Sequence, residues 1–524
     1  MRLAFVFDAH ILQHEPLGPM YIASYVRQFG HDVEYFSVDE PDYERLMRQY
    51  DPQVLAFSVS TGQHPRLLKA NRHLRETLPN AKFSVFGGPH PTFFQNMILA
   101  EGVDATCIGE GEEPMGELLN ALEKGDDWTG IQNLHCKMPD GTIKENEKRP
   151  FLPHLDELPF PDHDIKARFP HLKEKKVGFF IAGRGCPFKC TFCFNDAMMK
   201  MQKGRYVRYR DPDKVCEEID MVRSKYGIEL VSFQDDIFGI DVKWLEKFAP
   251  IYRDRIKLPF MCHYRSDLAT ERAVKAMHDA GCVRMIVGLE SGDEELRQRV
   301  MDKRVKDEEL YASAERCHRY GIELLTQNMF GIPGETPETA MKTVEMNMRI
   351  QPEVFIHYFF MPYPMTKLGE IAQEMGMFDG NFDMLPETYH TGLSLNIPHK
   401  DVLNAIGLNS YFMVDYPVAF HATRAFMKLF KSDKARLAWF KGMNVIERVM
   451  TKAGLRKEGC WYHEPRIGWR FNEDGSPKDG GTGTGRQVRW SRAQKKAMKE
   501  AEANRPRTSS VGGVAPNLPR AKRI

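Results

Sequence analysis

Val177-Gly178-Phe179-Phe180-Ile181-Ala182-Gly183-Arg184-Gly185-Cys186-Pro187-Phe188-Lys189-Cys190-Thr191-Phe192-Cys193 is the stretch from which the rest of the chain can be read. Its opening, Val177–Gly183, is a short apolar run of the length expected of a buried strand. A loop with cysteines spaced C-x3-C-x2-C follows at once. A loop leaving a strand can aim several thiolates at one point without strain. Three thiolates can hold three irons of a [4Fe–4S] cube and leave one iron without a protein ligand. An open metal position is a place for chemistry. The competing readings are a zinc knuckle and three unrelated thiols. Zinc calls for a fourth Cys or His at short spacing; none follows, and His171 lies upstream, across the strand.

Downstream, strand patterns at Leu230–Gln234, Phe260–Tyr264, Arg284–Leu289, Leu324–Phe330 and Val354–Phe360 alternate with helical ones. Pro212–Lys225 and Glu271–Ala280 are examples, closed by Gly227 and Gly281. Counting Val177–Ala182 as the first, six β/α units predict a partial barrel, open on one side, with its chemistry at the carboxyl ends of the strands. The residues found there are chemically apt. Asp235-Asp236 can receive a cationic amine or cap the next segment. Arg265 and Asp267 can pair with each other or with a carboxylate ligand. Glu290, in Gly288-Leu289-Glu290-Ser291-Gly292, can accept both hydroxyls of a ribose or form an ordinary salt bridge. The fifth strand ends in Gly331-Ile332-Pro333-Gly334-Glu335-Thr336 and the sixth in Met361-Pro362-Tyr363-Pro364-Met365-Thr366.

Upstream, strand patterns at Leu3–Phe7, Val33–Phe36, Val54–Val59, Phe83–Phe86 and Ala105–Ile108 alternate with helical ones at Met20–Phe29, Pro65–Leu78 and Glu113–Leu122. This alternation predicts a doubly wound parallel sheet whose ligand sits at the carboxyl ends of the strands. The loops there are Asp8-Ala9-His10, Ser58-Val59-Ser60-Thr61, Gly87-Gly88-Pro89-His90-Pro91 and Gly109-Glu110-Gly111-Glu112. Gly87-Gly88 lets backbone approach a large flat ligand. Gly109-Glu110-Gly111 is no dinucleotide fingerprint, because it follows the last strand and lacks a third glycine in register. A small hairpin closed by Asp140-Gly141 and an extended proline-rich segment, Pro150–Pro161, come next. After the barrel, Leu403–Tyr416, Pro417–Lys431 and Lys434–Lys452 read as amphipathic helices. They are expected to pack on the barrel's open edge, a lid over substrate being the alternative.

The 524 residues divide on this reading into 1–145, a linker 146–175, the barrel 176–390, a helical region 391–470 and a basic tail 471–524 expected to be disordered. Net charge is +1, yet from Gly481 on there are eleven Lys/Arg against two Asp/Glu. Gly480–Gly485 reads as a linker rather than a phosphate loop, since no strand precedes it. The other cysteines are scattered, and no apolar run approaches the roughly 20 residues of a membrane span. The first residues turn acidic at Asp8, too soon for a signal peptide. A reducing cytoplasm suits thiolate ligands.

The cysteine loop, with Phe192 just before its last member, resembles the signature of the radical S-adenosylmethionine (SAM) superfamily. The amino-terminal loops, as a set, look like the cobalamin-binding domain that precedes the barrel in part of that superfamily. Met361–Thr366 is similar to the P-x-P-G-T stretch of the cobalamin-type members, with Met365 in place of glycine. The resemblance implies an α/β fold: a flavodoxin-like doubly wound sheet, a partial (β/α)6 barrel and a helical carboxyl-terminal cap. It implies a [4Fe–4S] cluster on Cys186, Cys190 and Cys193. SAM would be held by Phe192, Asp235, Asp236, Arg265, Glu290 at the ribose, and Gly331 and Gly334 beside the adenine. Cobalamin would lie against Ser58, Ser60, Gly87, Gly88, His90 and Gly109. His10 matches the cobalt-ligating position of a D-x-H-x-x-G loop, but Gln13 stands where the glycine should be, and a loop histidine that never meets the metal is the preferred reading.

The activity so implied is reductive cleavage of SAM to a 5′-deoxyadenosyl radical and transfer of a methyl group, by way of cobalamin, to an unactivated carbon of a small molecule. The cofactors carry that chemistry and the protein positions it. One alternative is an oxidoreductase or ring-forming enzyme of the anaerobic Mg-protoporphyrin ester cyclase type. Another is an RNA-modifying protein that uses the basic tail. The expected partners are a small-molecule substrate and an electron donor such as flavodoxin or ferredoxin, with neither a membrane nor nucleic acid, and no second iron–sulfur cluster is expected.

Overall fold

Apolar strands with almost no exposed positions can exist only between layers of helix. The computed structural model describes residues 1–8, 14–390 and 392–453 and places five such strands first. They are β1 (Arg2–Phe7), β2 (Asp32–Ser37), β3 (Val54–Ser58), β4 (Phe83–Gly87) and β5 (Ala105–Cys107), paired in parallel in the order β2-β1-β3-β4-β5. The winding reverses between β1 and β3, which opens a crevice at their carboxyl ends. The hairpin of β6 (Leu134–Lys137) and β7 (Ile143–Glu145) does not stand apart: it pairs antiparallel with β5 and completes a seven-stranded sheet. His10 and the expected tail lie outside the described residues.

The second sheet is the barrel. β8 (Val177–Phe180) ends earlier than its apolar run, because Gly183 turns the chain into a short antiparallel ribbon of β9 (Gly183–Arg184) and β10 (Arg208–Tyr209). β11 (Leu230–Phe233), β12 (Phe260–Tyr264), β13 (Cys282–Glu290), β14 (Glu323–Phe330) and β15 (Val354–Phe359) follow, and β8-β11-β12-β13-β14-β15 form a six-stranded, all-parallel sheet. Side chains alternate. Phe180, Phe233, Cys262 and Val287 pack outward with Val215, Ile219 and Phe248 of the surrounding helices. The period of two therefore turns Ser232, His263, Gln327 and Tyr358 toward the interior. The helix Lys400–Asp415 packs on β15 and on the helix Pro337–Ile350, where Ile406 and Phe412 join Phe330 and Phe359 in one apolar cluster. The expected cover of the sheet's open edge is thus present, and among the described residues no helix is long and apolar enough to cross a membrane.

One apolar cluster runs from Phe5 and Met20 through Ile165, Phe169 and Leu172 to Val177, Phe179 and Met261, so the segment joining the sheets is packed against both. A buried polar cluster crosses the same junction. His163 lies 3.2 Å from Glu15 and 2.8 Å from Glu218, and Lys166 is 2.6 Å from the other oxygen of Glu15. Arg210 closes the group on Glu218. Burial alone would pull His163 down, but hydrogen bonds to and charges of the two carboxylates more than offset it and push its pKa up to about 9.

Two outcomes follow from this packing. His163 titrates higher when folded than when unfolded, so its contribution is complete below about pH 6.5 and is lost as pH rises through about 9. The urea midpoint should fall over that interval, and in His163→Gln it should be lower at neutral pH and flatter across it. Met365, just past β15, adopts a φ of 57°, a left-handed conformation costing a residue with a Cβ about 1 kcal/mol. Met365→Gly should therefore raise the unfolding free energy by about that amount, read from the same urea titration.

Candidate functional site

The cysteine loop is fixed at its middle. Thr191 donates its N–H to Met301 O (2.9 Å) and its hydroxyl to Val300 O (2.7 Å), while its own carbonyl accepts from Leu368 N (2.8 Å). The loop is thereby tied to the segments that follow β13 and β15. Cys186 and Cys190 are buried and Cys193 partly so. Burial pushes Cys186 up to about 11 and Cys193 to about 12, and Cys193 feels the negative charge of both other thiolates. Two cations oppose this at Cys190: Lys303, and Arg265, whose guanidinium donates to the Cys190 sulfur at 3.6 Å. Asn195 donates to Cys193 Sγ at 3.3 Å and to Asp236 at 3.1 Å.

Among the described residues no three His, Cys, Asp or Glu side chains are close enough to share a single metal ion. A cube, whose sulfur ligands each take a different iron, requires a wider trio. Three soft thiolate donors on one short loop, with two cations beside them, fit such a cube.

The other expected SAM contacts ring this loop with unequal freedom. Asp235 accepts from the backbone N–H groups of Ala182 (3.1 Å) and Gly183 (2.6 Å), so it braces the entry to the cysteine loop; burial pushes its pKa up to about 7. Asp236 is the exposed member of the pair. Arg265 is held by Asp267 through two bonds of 2.9 and 3.0 Å and lies 3.5 Å above the Phe188 ring. The two residues thus pair with each other. Glu290 ends β13 at φ 65° and accepts from Lys303 Nζ at 2.9 Å. A carboxylate so strained and so held can still offer oxygen lone pairs to hydroxyls. Gly331 has φ 79°, and a Cβ there would sit 1.6 Å from Leu393 Cδ2, so only glycine lets this loop turn beneath Leu393. Its N–H donates to Glu335, a buried carboxyl pushed up to about 8. Phe192 packs at the margin of the cluster containing Leu393, and Gly334 keeps a φ of 85°.

At the carboxyl ends of β1, β3, β4 and β5 lies a mostly apolar cavity of 270 Å³. Ser58, Gly87, Gly88 and Gly109 line it, together with Tyr21, Ile22 and Met115, which the sequence had not marked. Gly88 has φ 90°, and its Cβ would come within 2.8 Å of Val59 N, so the wall is bare backbone by necessity. Such a slot fits a large flat ligand such as cobalamin. His90 is not part of the lining. It is fully buried, bonds Thr61 Oγ1 at 3.0 Å and stacks on His64 at 3.9 Å, and burial pulls its pKa down to about 3. Ser60 is likewise absent from the lining.

One wall of this cavity comes from the barrel. Ile181 and Arg184 line it, and Arg184 is only two residues before Cys186. Arg184 pairs with Glu110 (3.1 Å) and Glu112 (2.6 Å), and Arg208 on β10 also pairs with Glu110 (2.7 Å). The thiol loop and the slot at the carboxyl ends of the first sheet are therefore built on one continuous run of chain.

Comparison with known proteins agrees with these two sites. Residues 180–346 match the radical SAM superfamily and residues 11–119 match the B12 binding domain. An uncharacterised methyltransferase of Pyrococcus horikoshii is 28% identical over 372 residues, covering 68% of this chain and 78% of that one. The anaerobic magnesium-protoporphyrin IX monomethyl ester cyclase of Rubrivivax gelatinosus is 25% identical, covering 87% and 81%. Among solved structures, the cobalamin-dependent SAM radical enzyme OxsB with aqua-cobalamin bound has the same fold, with a TM-score of 0.63 at 16% identity, over 86% of this chain and 71% of that chain. The radical SAM methyltransferase TsrM of Kitasatospora setae, with cobalamin and a [4Fe–4S] cluster bound, superposes at 0.60 and 18% identity, over 72% and 75%. The chain belongs to the cobalamin-binding radical SAM enzymes, whose cofactors are a [4Fe–4S] cluster, S-adenosylmethionine and cobalamin.

Proposed function

We propose that this enzyme transfers a methyl group to an unactivated carbon of an uncharged small molecule. The observation that carries the reading is the shared run Ile181–Cys186, which walls the flat-ligand slot and supplies the first thiol. Such a run would hold a methyl carrier and a radical source at one mouth. When bound, the cluster and SAM supply a radical able to remove hydrogen from carbon, and cobalamin supplies the methyl group.

The chain's own residues would do the positioning. Cys186, Cys190 and Cys193 would hold the cube, with Arg265 and Lys303 offsetting its negative charge. Asp236, beside Asn195, would receive the SAM ammonium, and Glu290 the ribose. The barrel interior offers Ser232, Gln234, His263, Gln327 and Tyr358, with Gln234 donating to Ser232 (2.7 Å) and Gln327 to Tyr358 (3.1 Å). Burial pulls His263 down to about 4, so it is neutral at physiological pH. Three cations of the interior are each paired with a carboxylate: Arg284 with Glu323 at 2.7 Å, Arg265 with Asp267 and Lys303 with Glu290 at 2.9 Å. A lining of neutral donors and acceptors favours a substrate that offers hydrogen bonds and no net charge, because a charge would be desolvated without a partner.

After anaerobic reconstitution with iron, sulfide and hydroxocobalamin, addition of SAM and reductant should yield both S-adenosylhomocysteine and 5′-deoxyadenosine by liquid chromatography. 5′-Deoxyadenosine without S-adenosylhomocysteine would instead favour the oxidative or ring-forming chemistry of the cyclase type. The two sites should also separate by mutation. Replacing Cys186, Cys190 and Cys193 by Ala should abolish bound iron and SAM cleavage while cobalamin still binds. Gly88→Ala should weaken cobalamin binding about tenfold, or ~1.4 kcal/mol, and leave iron content unchanged.

A further inference from the structure

The helices Pro417–Leu429 and Asp433–Lys452 bury one face and leave the opposite face apolar. Inward they bury Phe420, Thr423 and Met427 on the first and Arg436, Phe440 and Met443 on the second. On the first helix the outward stripe is Val418, Ala422, Ala425 and Leu429, with Val418 81% and Leu429 78% exposed. On the second it is Ala438, Gly442, Val445, Ile446 and Val449, the last three 59%, 56% and 60% exposed. At 3.6 residues per turn each stripe lies across the helix from its buried face. Isolated exposed apolar residues need no explanation, but two helices that pack on each other and each carry such a stripe mark an interaction surface.

The border of the stripes is cationic. Arg424 is engaged by Glu345 and Arg436 by Glu338, each at 2.8–2.9 Å. Lys428, Lys434, Lys441, Arg448 and Lys452 are exposed along the stripes. From Pro417 to Ala453 the sequence has eight Lys/Arg and two Asp/Glu.

We propose that this helix pair rests on the surface of a bilayer containing anionic lipid, its aliphatic stripes in the headgroup–acyl boundary and its Lys/Arg against lipid phosphates. An apolar helical face edged with cations is the pattern of an interfacial helix. Charge decides against the other occupants. A second copy would bring the same cations face to face; of the chain beyond the described residues, 454–480 has five Lys/Arg and five Asp/Glu and so no net charge to complement those cations, and from Gly481 on it is basic, with eleven Lys/Arg against two Asp/Glu. RNA would call for aromatic stacking groups, and the stripes are aliphatic. Sequence alone pointed to no membrane partner because it has no span; contact with a surface needs none.

The test is flotation of the full-length chain with vesicles of phosphatidylglycerol and phosphatidylcholine in equal parts, against phosphatidylcholine alone. Binding to the anionic vesicles that weakens as salt rises is expected. Val445→Asp with Val449→Asp should reduce it at least about tenfold. Lys441→Gln with Arg448→Gln should reduce it about fivefold per charge removed. Circular dichroism and the visible absorption of the reconstituted cluster should be unchanged in both variants. The proposal is overturned if the wild-type chain stays off the anionic vesicles, or if binding survives the paired Asp substitutions. It is also overturned if sedimentation velocity finds a dimer that those substitutions dissociate.

Discussion

Arg184 is the residue on which the two halves of the molecule meet. Its guanidinium is shared between Glu110 and Glu112 at the end of the first sheet, and its backbone belongs to the strand that delivers Cys186. Burying a charge is tolerable only when it is paired, and Arg184 is paired on both branches of its fork. That constraint sets where the thiol loop can stand relative to the flat slot. Arg208 repeats the arrangement from β10, so the ribbon β9–β10 serves as a two-armed clasp on Glu110.

Around the clasp, residues adjacent in sequence divide their roles by burial. Asp235 is spent on backbone N–H groups while Asp236 is exposed. Arg265 is committed to Asp267 yet still reaches Cys190. Burial pulls both His163 and His90 down, but His163 is held between two carboxylates that more than offset it while His90 has only another imidazole beside it, so their pKa values move in opposite directions. In each case the partner atoms, rather than the residue type, decide what the side chain can do.

Much of this was readable from the chain alone. The strands of both sheets are short apolar runs bounded by glycine and polar turns, and their period could be followed from Leu3 to Phe360. The cysteine spacing carried its own chemistry. What was hidden was long-range pairing. Nothing in the spacing of Lys303 shows that it will meet Glu290, and the acidic partners of Arg184 lie more than seventy residues upstream. Tyr21, Ile22 and Met115 reach the slot from helices whose apolar faces look like ordinary core. The hairpin β6–β7 was visible as a hairpin, but its pairing with β5 depends on register, which local sequence does not encode. Ser60 and His90 were expected at the slot from their loops, yet neither is among its lining residues, and the His90 ring is turned instead onto Thr61 and His64.

The anchoring of Thr191 bears on biosynthesis. Its bonds to Met301 and Leu368 join residues far apart in the order of translation. Contacts of such long range form late, after the intervening chain has been made and folded. The three cysteines therefore leave the ribosome well before the contacts that hold their loop can form, and the loop is fully tethered only after Leu368 has been made.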